Sequence, residues 1–146
     1  MNVVVEWREL DDGDDGWYAD CAIYAYCTVE GSEILYIGKT DGTTVRRRWN
    51  RSGKEGFWND LERQRGIYHH AVLLGEIELA PGCRLTRELL ADIESLLIKR
   101  LRPWGNIQCR DYRISRPGLR VICQGDWPSV RTEFRDISRA PGARDS

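Results

Sequence analysis

The sequence predicts a small mixed α/β domain of the α+β kind. Short β-branched and aromatic runs bounded by Gly, Asp and Ser fill the first half. A single strongly amphipathic helical stretch follows at 85–102. Two more strand-like runs, NIQCRDYRI and LRVIC, come after it, around RPG. A chain of 146 residues suits one domain with a modest core. That domain is expected over 1–128, with the polar stretch 129–146 as a flexible tail.

VVVEW at 3–7 reads as the first strand. DDGDDG at 11–16 reads as a solvated acidic turn. It is not a calcium loop, because no glutamate stands at the twelfth position from Asp11 or Asp12. Residues 21–28 and 34–38 read as a hairpin around VEGSE. Side chains alternate across a strand, so Tyr24 and Tyr26 share one face. A turn centred on Glu30 would set Tyr24 directly opposite Tyr36, and a slip of one residue would undo this.

TDGTT at 40–44 forms a turn that can cap a helix through a threonine hydroxyl. Val45 and Trp49 mark the buried side of that short helix, and Arg46, Arg47, Arg48 and Arg51 decorate the rest. FWNDLERQ at 57–64 suggests a second helical piece, and HAVLLGEIEL at 70–79 a third strand. In the helix at 85–102, Leu89, Ile93, Leu96 and Leu97 form the buried stripe. Arg84, Glu88, Asp92, Ser95, Lys99 and Arg102 form the polar one, and Pro103 stops the helix.

No apolar run approaches the ~18–20 residues of a membrane helix, and the charged N-terminus lacks the apolar core of a signal peptide. A cytoplasmic protein is expected. Five cysteines without a CxxC pair, beside two adjacent histidines, argue against a disulfide framework or a structural zinc site. All five are expected to be packing residues. Net charge is −1, but its distribution is uneven. Residues 1–35 hold nine acids and one base; the remaining 111 hold 21 bases and 14 acids. Phosphate binding depends on a local basic surface rather than on the total, so a nucleic-acid partner stays open.

Glu94 is the most informative candidate. Its helical neighbours Leu90, Ala91, Leu97 and Ile98 are all apolar. An ionised carboxylate placed there needs a partner. That partner is either a structural arginine or a hard cation such as Mg2+ or Mn2+, which takes only one or two carboxylates when a phosphate supplies other ligands. Arg48 lies nearest the buried side of its helix, and a guanidinium matches phosphate bidentately. Tyr24 and Tyr36 are strand aromatics in most proteins. As a base, a tyrosine must be brought down from a reference pKa of about 10 by a neighbouring cation.

Taken in order, Ala22-Ile23-Tyr24, Tyr36-Ile37-Gly38, Arg48, Glu94 and Asn106 after a proline resemble the GIY-YIG nuclease family over about 21–110. The resemblance implies a central three-stranded antiparallel sheet flanked by helices, here with extra C-terminal strands. It implies a metal-dependent endonuclease that hydrolyses DNA phosphodiester bonds with a single Mg2+ or Mn2+ held by Glu94. Tyr24 or Tyr36 would activate water, with Arg48 and Lys39 stabilising the phosphate. Arg46, Arg47, Arg51 and Asn106 would lie on the substrate side, Asn106 also anchoring nearby backbone. Ala22 departs from the family's glycine. Ser52 stands where many members carry His or Tyr. Without a separate recognition domain, dimerisation or a partner protein would supply specificity. Two other readings stand beside this one. The first is a catalytically weak or inactive nucleic-acid-binding module; the second is a protein-interaction domain that works through its acidic N-terminal segment.

Overall fold

A computed structural model describes residues 1–50, 54–106 and 118–136 of the chain. Alternating burial builds a sheet of six strands: β1 (Asn2–Glu9), β2 (Ile23–Thr28), β3 (Ile34–Lys39), β4 (His70–Glu78), β5 (Arg120–Gly125) and β6 (Glu133–Arg135). Their spatial order is β3-β2-β4-β1-β5-β6. Every neighbouring pair is antiparallel except β1 with β5. The expected three-stranded sheet is thus one half of a larger one, because β1 carries the sheet onward from β4. The expectation of a free tail from 129 is also corrected. Phe134 of β6 is buried, and its backbone pairs with Val121. The NIQCRDYRI run lies outside the described residues, as do 137–146.

Helices α1 (Val45–Trp49), α2 (Lys54–Arg65) and α3 (Arg87–Leu101) complete the fold. Threonine hydroxyls start two of them. Thr44 accepts from the Arg47 N–H at 3.2 Å, and Thr86 from the Leu89 N–H at 3.1 Å. Arg102 ends α3, Pro103 follows, and α3 does not continue.

The core has two parts, one on each side of the sheet. Leu89, Ile93, Leu96 and Leu97 of α3 pack with Val5, Ile23, Ile37, Leu73 and Val121. Tyr24, Tyr26, Leu35, Val72 and Leu74 pack instead with Val45 of α1, Leu61 of α2 and Trp17. Asp92 and Ser95, expected on the exposed stripe of α3, are buried. Strand β6 packs against α3 and extends its covered face beyond the apolar stripe. Cys27 and Cys123 are packing residues as expected, and burial pushes their thiols up to about 11 and about 12. Cys21 and Cys83 are exposed, which corrects that reading for them; Cys109 lies outside the described residues.

β4 runs between β1 and β2, and its centre needs a residue with no side chain. A Cβ at Gly75 would stand 2.6 Å from Ile23 Cγ2 and 2.7 Å from Val5 Cγ1. Overpacking of this kind costs about 1–3 kcal/mol. Gly75→Val is therefore expected to destabilise the protein by at least that amount in urea unfolding, with little change in the denaturant slope.

Candidate functional site

β3 is an edge strand and carries two of the candidate residues, Tyr36 and Lys39. The hairpin register differs from the expected one. Tyr36 pairs with Tyr26, and Tyr24 pairs with Gly38. The register then shifts, so that Cys27 pairs with Ile34 and Leu35 is the extra residue. A bulge of this kind sets two consecutive residues against one. The shift from the expected register is two residues, an even number, so the faces are preserved. Tyr24, Tyr26 and Tyr36 lie together, with ring centroids 5.4–6.1 Å apart.

Gly38 is explained by this packing. A Cβ there would strike the hydroxyl of Tyr24. The strand must therefore carry glycine at that point for the Tyr24 ring to lie across it. Burial raises the pKa of Tyr24, and Tyr26 and Tyr36 raise it further, against the lowering effect of Arg48. Burial likewise raises that of Tyr26. The expectation that a nearby arginine brings Tyr24 into range as a base is thus corrected. Arg48 acts on it, but desolvation outweighs the charge.

Glu94 and Lys39 meet across the edge of the sheet, with Lys39 Nζ 3.7 Å from Glu94 Oε1. Both side chains are mostly covered, at 28% and 15% exposure. The partner of the carboxylate is therefore a lysine, with Arg48 adding a second positive charge nearby. Burial still raises the pKa of Glu94, and Lys39 and Arg48 only oppose it. A carboxylate left with that deficit has a use for further positive charge. Among the described residues no group of three His, Cys, Asp or Glu side chains is gathered for a metal. Any hard cation at Glu94 would draw its remaining ligands from water and substrate, as Mg2+ commonly does.

Arg48 is half-buried, while Arg46 and Arg47 are exposed. The Nε of Arg48 is buried without a hydrogen-bond partner among the described residues. Arg46 instead lies over the Trp17 ring at 5.8 Å. Arg51 and Ser52 lie outside the described residues. Asn106 does not have a free amide to offer a substrate. Its Oδ1 accepts from the Ile37 N–H and its Nδ2 donates to the Ile37 carbonyl, both at 2.9 Å. Both groups are spent on β3, which corrects the substrate-side assignment and leaves the anchoring one.

The sequence reading missed His70. It opens β4, stacks on Trp58 at 4.1 Å and meets the edge of Tyr26 at 5.8 Å. The Trp49 indole N–H donates to its Nε2 at 2.9 Å. Its place depends on β4 lying beside β2, with His70 paired to Thr28, and no local pattern carries that. Tyr26 was legible in principle, since alternation puts it on the face of Tyr24.

Comparison with protein-family models, curated proteins and solved structures finds no match to this chain.

Two expectations follow from the geometry. Asn106→Leu would orphan a buried N–H and a buried carbonyl, each worth about 1–3 kcal/mol. It should destabilise the fold by at least 2 kcal/mol on this scale, measured by urea unfolding. His70 titrates below its usual value, through burial and the adjacent His69. The unfolded chain thus binds a proton, below about pH 6.5, that the folded state resists. Its contribution is complete above that pH and declines as pH falls. The thermal midpoint should drop on acidification from about pH 7 to about pH 5, and His70→Phe should flatten that part of the profile.

Proposed function

We propose that the protein is a metal-dependent DNA endonuclease of GIY-YIG type, with Tyr36, Lys39, Arg48 and Glu94 as its working residues. One observation carries the reading: Lys39 of β3 stands 3.7 Å from the Glu94 carboxylate of α3 at a single sheet edge, and Arg48 of α1 acts electrostatically on the same carboxylate. Glu94 is distant in sequence from the other two, and α3 and α1 cover opposite faces of the sheet. A structural ion pair needs only one cation, and the second is what an anionic substrate would use.

Mg2+ or Mn2+ held by Glu94 would polarise the scissile phosphate. Arg48, with an unbonded buried Nε, is suited to charge developing on that phosphate. With a cation on the Glu94 carboxylate, Lys39 would be free to hold the phosphate. Burial favours the protonated form of Tyr24, and its hydroxyl is in hydrogen-bond reach of Tyr36. That makes Tyr24 the donor, and Tyr36, the less buried of the two, would act as the base in its phenolate form, taking the proton from water and returning to the phenol. Arg46 and Arg47, exposed on α1, would contact the DNA backbone.

The test is incubation with supercoiled DNA in Mg2+, Mn2+ or chelator. Metal-dependent nicking is expected, and its absence would favour the binding-module reading. Glu94→Gln should abolish nicking and leave DNA binding largely intact. The raised pKa means that ionised Glu94 works against folding at neutral pH. Glu94→Gln should therefore unfold at an equal or higher temperature at neutral pH, and the difference should vanish in acid, where the wild-type carboxyl is protonated. Strong destabilisation instead, by the ~3–5 kcal/mol of a broken buried pair, would mark the Lys39 contact as structural.

Arg48→Ala should reduce turnover more than binding, because its charge acts in the transition state. Arg46→Ala should weaken binding and lower its salt dependence. The opposite ranking, read from kcat and salt-dependent Kd, would exchange their roles.

A further inference from the structure

At the far end of β3 a cavity of about 210 Å3 opens between Ser32, Glu33, Arg102, Pro103, Trp104 and Ser129. It lies outside the Glu94 constellation, yet aromatic contact joins the two. Trp104 packs on Phe57 at 5.7 Å, and Phe57 meets the edge of Tyr36 at 5.7 Å.

Arg102 is out of place for a purely structural residue. It ends α3 at φ 49° and ψ 60°, a left-handed geometry that glycine adopts freely and that costs a side-chain-bearing residue. Its backbone N–H bonds the Ile98 carbonyl at 2.8 Å, and glycine would do that as well. The arginine adds only an exposed guanidinium at the cavity mouth, without a side-chain partner among the described residues. An outlier of this kind, held beside a cavity, points to binding.

The lining limits the ligand. The volume is below the ~300 Å3 at which sites for drug-sized molecules begin, so it suits one planar ring system. Trp104 offers an aromatic wall for stacking. Arg102 offers a cation for the attached phosphate. Glu33 gives one carboxylate oxygen to Arg65 at 2.6 Å and keeps the other for an amino group. With Arg65 and Arg102 against Glu33, the rim carries net positive charge.

We propose that this cavity is a nucleobase subsite that receives an unpaired base bearing an exocyclic amino group (cytosine, adenine or guanine, but not thymine) from the strand whose phosphate sits at Glu94. The proposal rests on the DNA reading of that neighbouring site. Thymine lacks the exocyclic amino group and would leave Glu33 unmatched. An intact duplex keeps its bases stacked inside, so the preferred substrate is single-stranded, branched or locally opened DNA.

The experiment measures binding of the full chain, in chelator, to fluorescent oligodeoxycytidine, oligothymidine and a duplex of equal length. Roughly tenfold tighter binding of oligodeoxycytidine than of the other two is expected, within the range of stacking energies. Arg102→Gly should weaken that binding severalfold while its thermal midpoint stays equal or rises. Glu33→Gln should shrink the preference over oligothymidine. Equal affinity for the two single strands, wild-type affinity in Arg102→Gly, or no binding at all overturns the subsite. Chelator separates this result from cleavage. Metal-dependent nicking without the preference removes the subsite alone. The preference without nicking in any metal removes the nuclease reading and leaves the subsite.

Discussion

The site depends on a side chain completing the outer edge of the sheet. Among the described residues, β3 has β2 on one side and no strand on the other. At Ile37 both backbone groups turn outward, and Asn106 satisfies both. One amide thus does for an edge strand what a neighbouring strand does elsewhere. It also ties the turn after α3 to the strand that α3 packs against. Tyr36 precedes Ile37, and Gly38 and Lys39 follow it, so the clasp fixes the strand that carries them. Glu94 sits upstream on that same helix. Its meeting with Lys39 follows from a helix and a strand being pinned together at one end.

Pinning matters because the site is electrostatically unfavourable as it stands. A half-buried carboxylate and two buried tyrosines are all disfavoured in their charged forms by desolvation, and Arg48 has a buried nitrogen without a hydrogen-bond partner among the described residues. The tyrosines are held by ring contacts on one another. Gly38 is the clearest case: it is absence of a side chain that lets Tyr24 lie across the strand. Such local conflicts are tolerated where surrounding structure over-determines the geometry.

What the sequence revealed was set by the range of each signal. Alternation and helical periodicity are local, so the shared face of Tyr24 and Tyr36, the α3 stripe and the isolation of Glu94 could be read directly. The Thr44 cap could also be read, since it needs only its own turn. The two-residue change in pairing could not, because it leaves the faces of the tyrosines as they were, and the one-residue bulge at Leu35 is set by packing on the tyrosine side rather than by any local pattern. The Lys39 partner of Glu94, the Asn106 clasp and the place of His70 all join elements distant in sequence. Strand β6 was hidden for another reason. Three residues in a polar stretch carry no period, and only Phe134 packing beside Val121 gives them a structure.

Charge gives a further case of local reading meeting tertiary placement. The acidic first quarter and the arginine-rich helix α1 look separate along the chain. In space they touch. Trp17 of the acidic turn packs on Trp49 at 5.5 Å, and Arg46 lies over Trp17. Many other arginines are already spent. Arg8 bonds Asp14 and Glu76, Arg65 bonds Glu33, Arg87 bonds Asp41, and Arg120 and Arg135 share Glu133. Two contacts on Glu133 hold its carboxyl down at about 2. Among the described residues, Arg46, Arg47 and Arg48 make no ion pair, and they stand together on one short helix beside the Glu94 edge. A net charge near zero therefore coexists with a concentrated patch of unneutralised cations. Neutralisation elsewhere makes the patch local, and the adjacent acidic turn bounds it, so an anionic strand would meet attraction over a narrow strip.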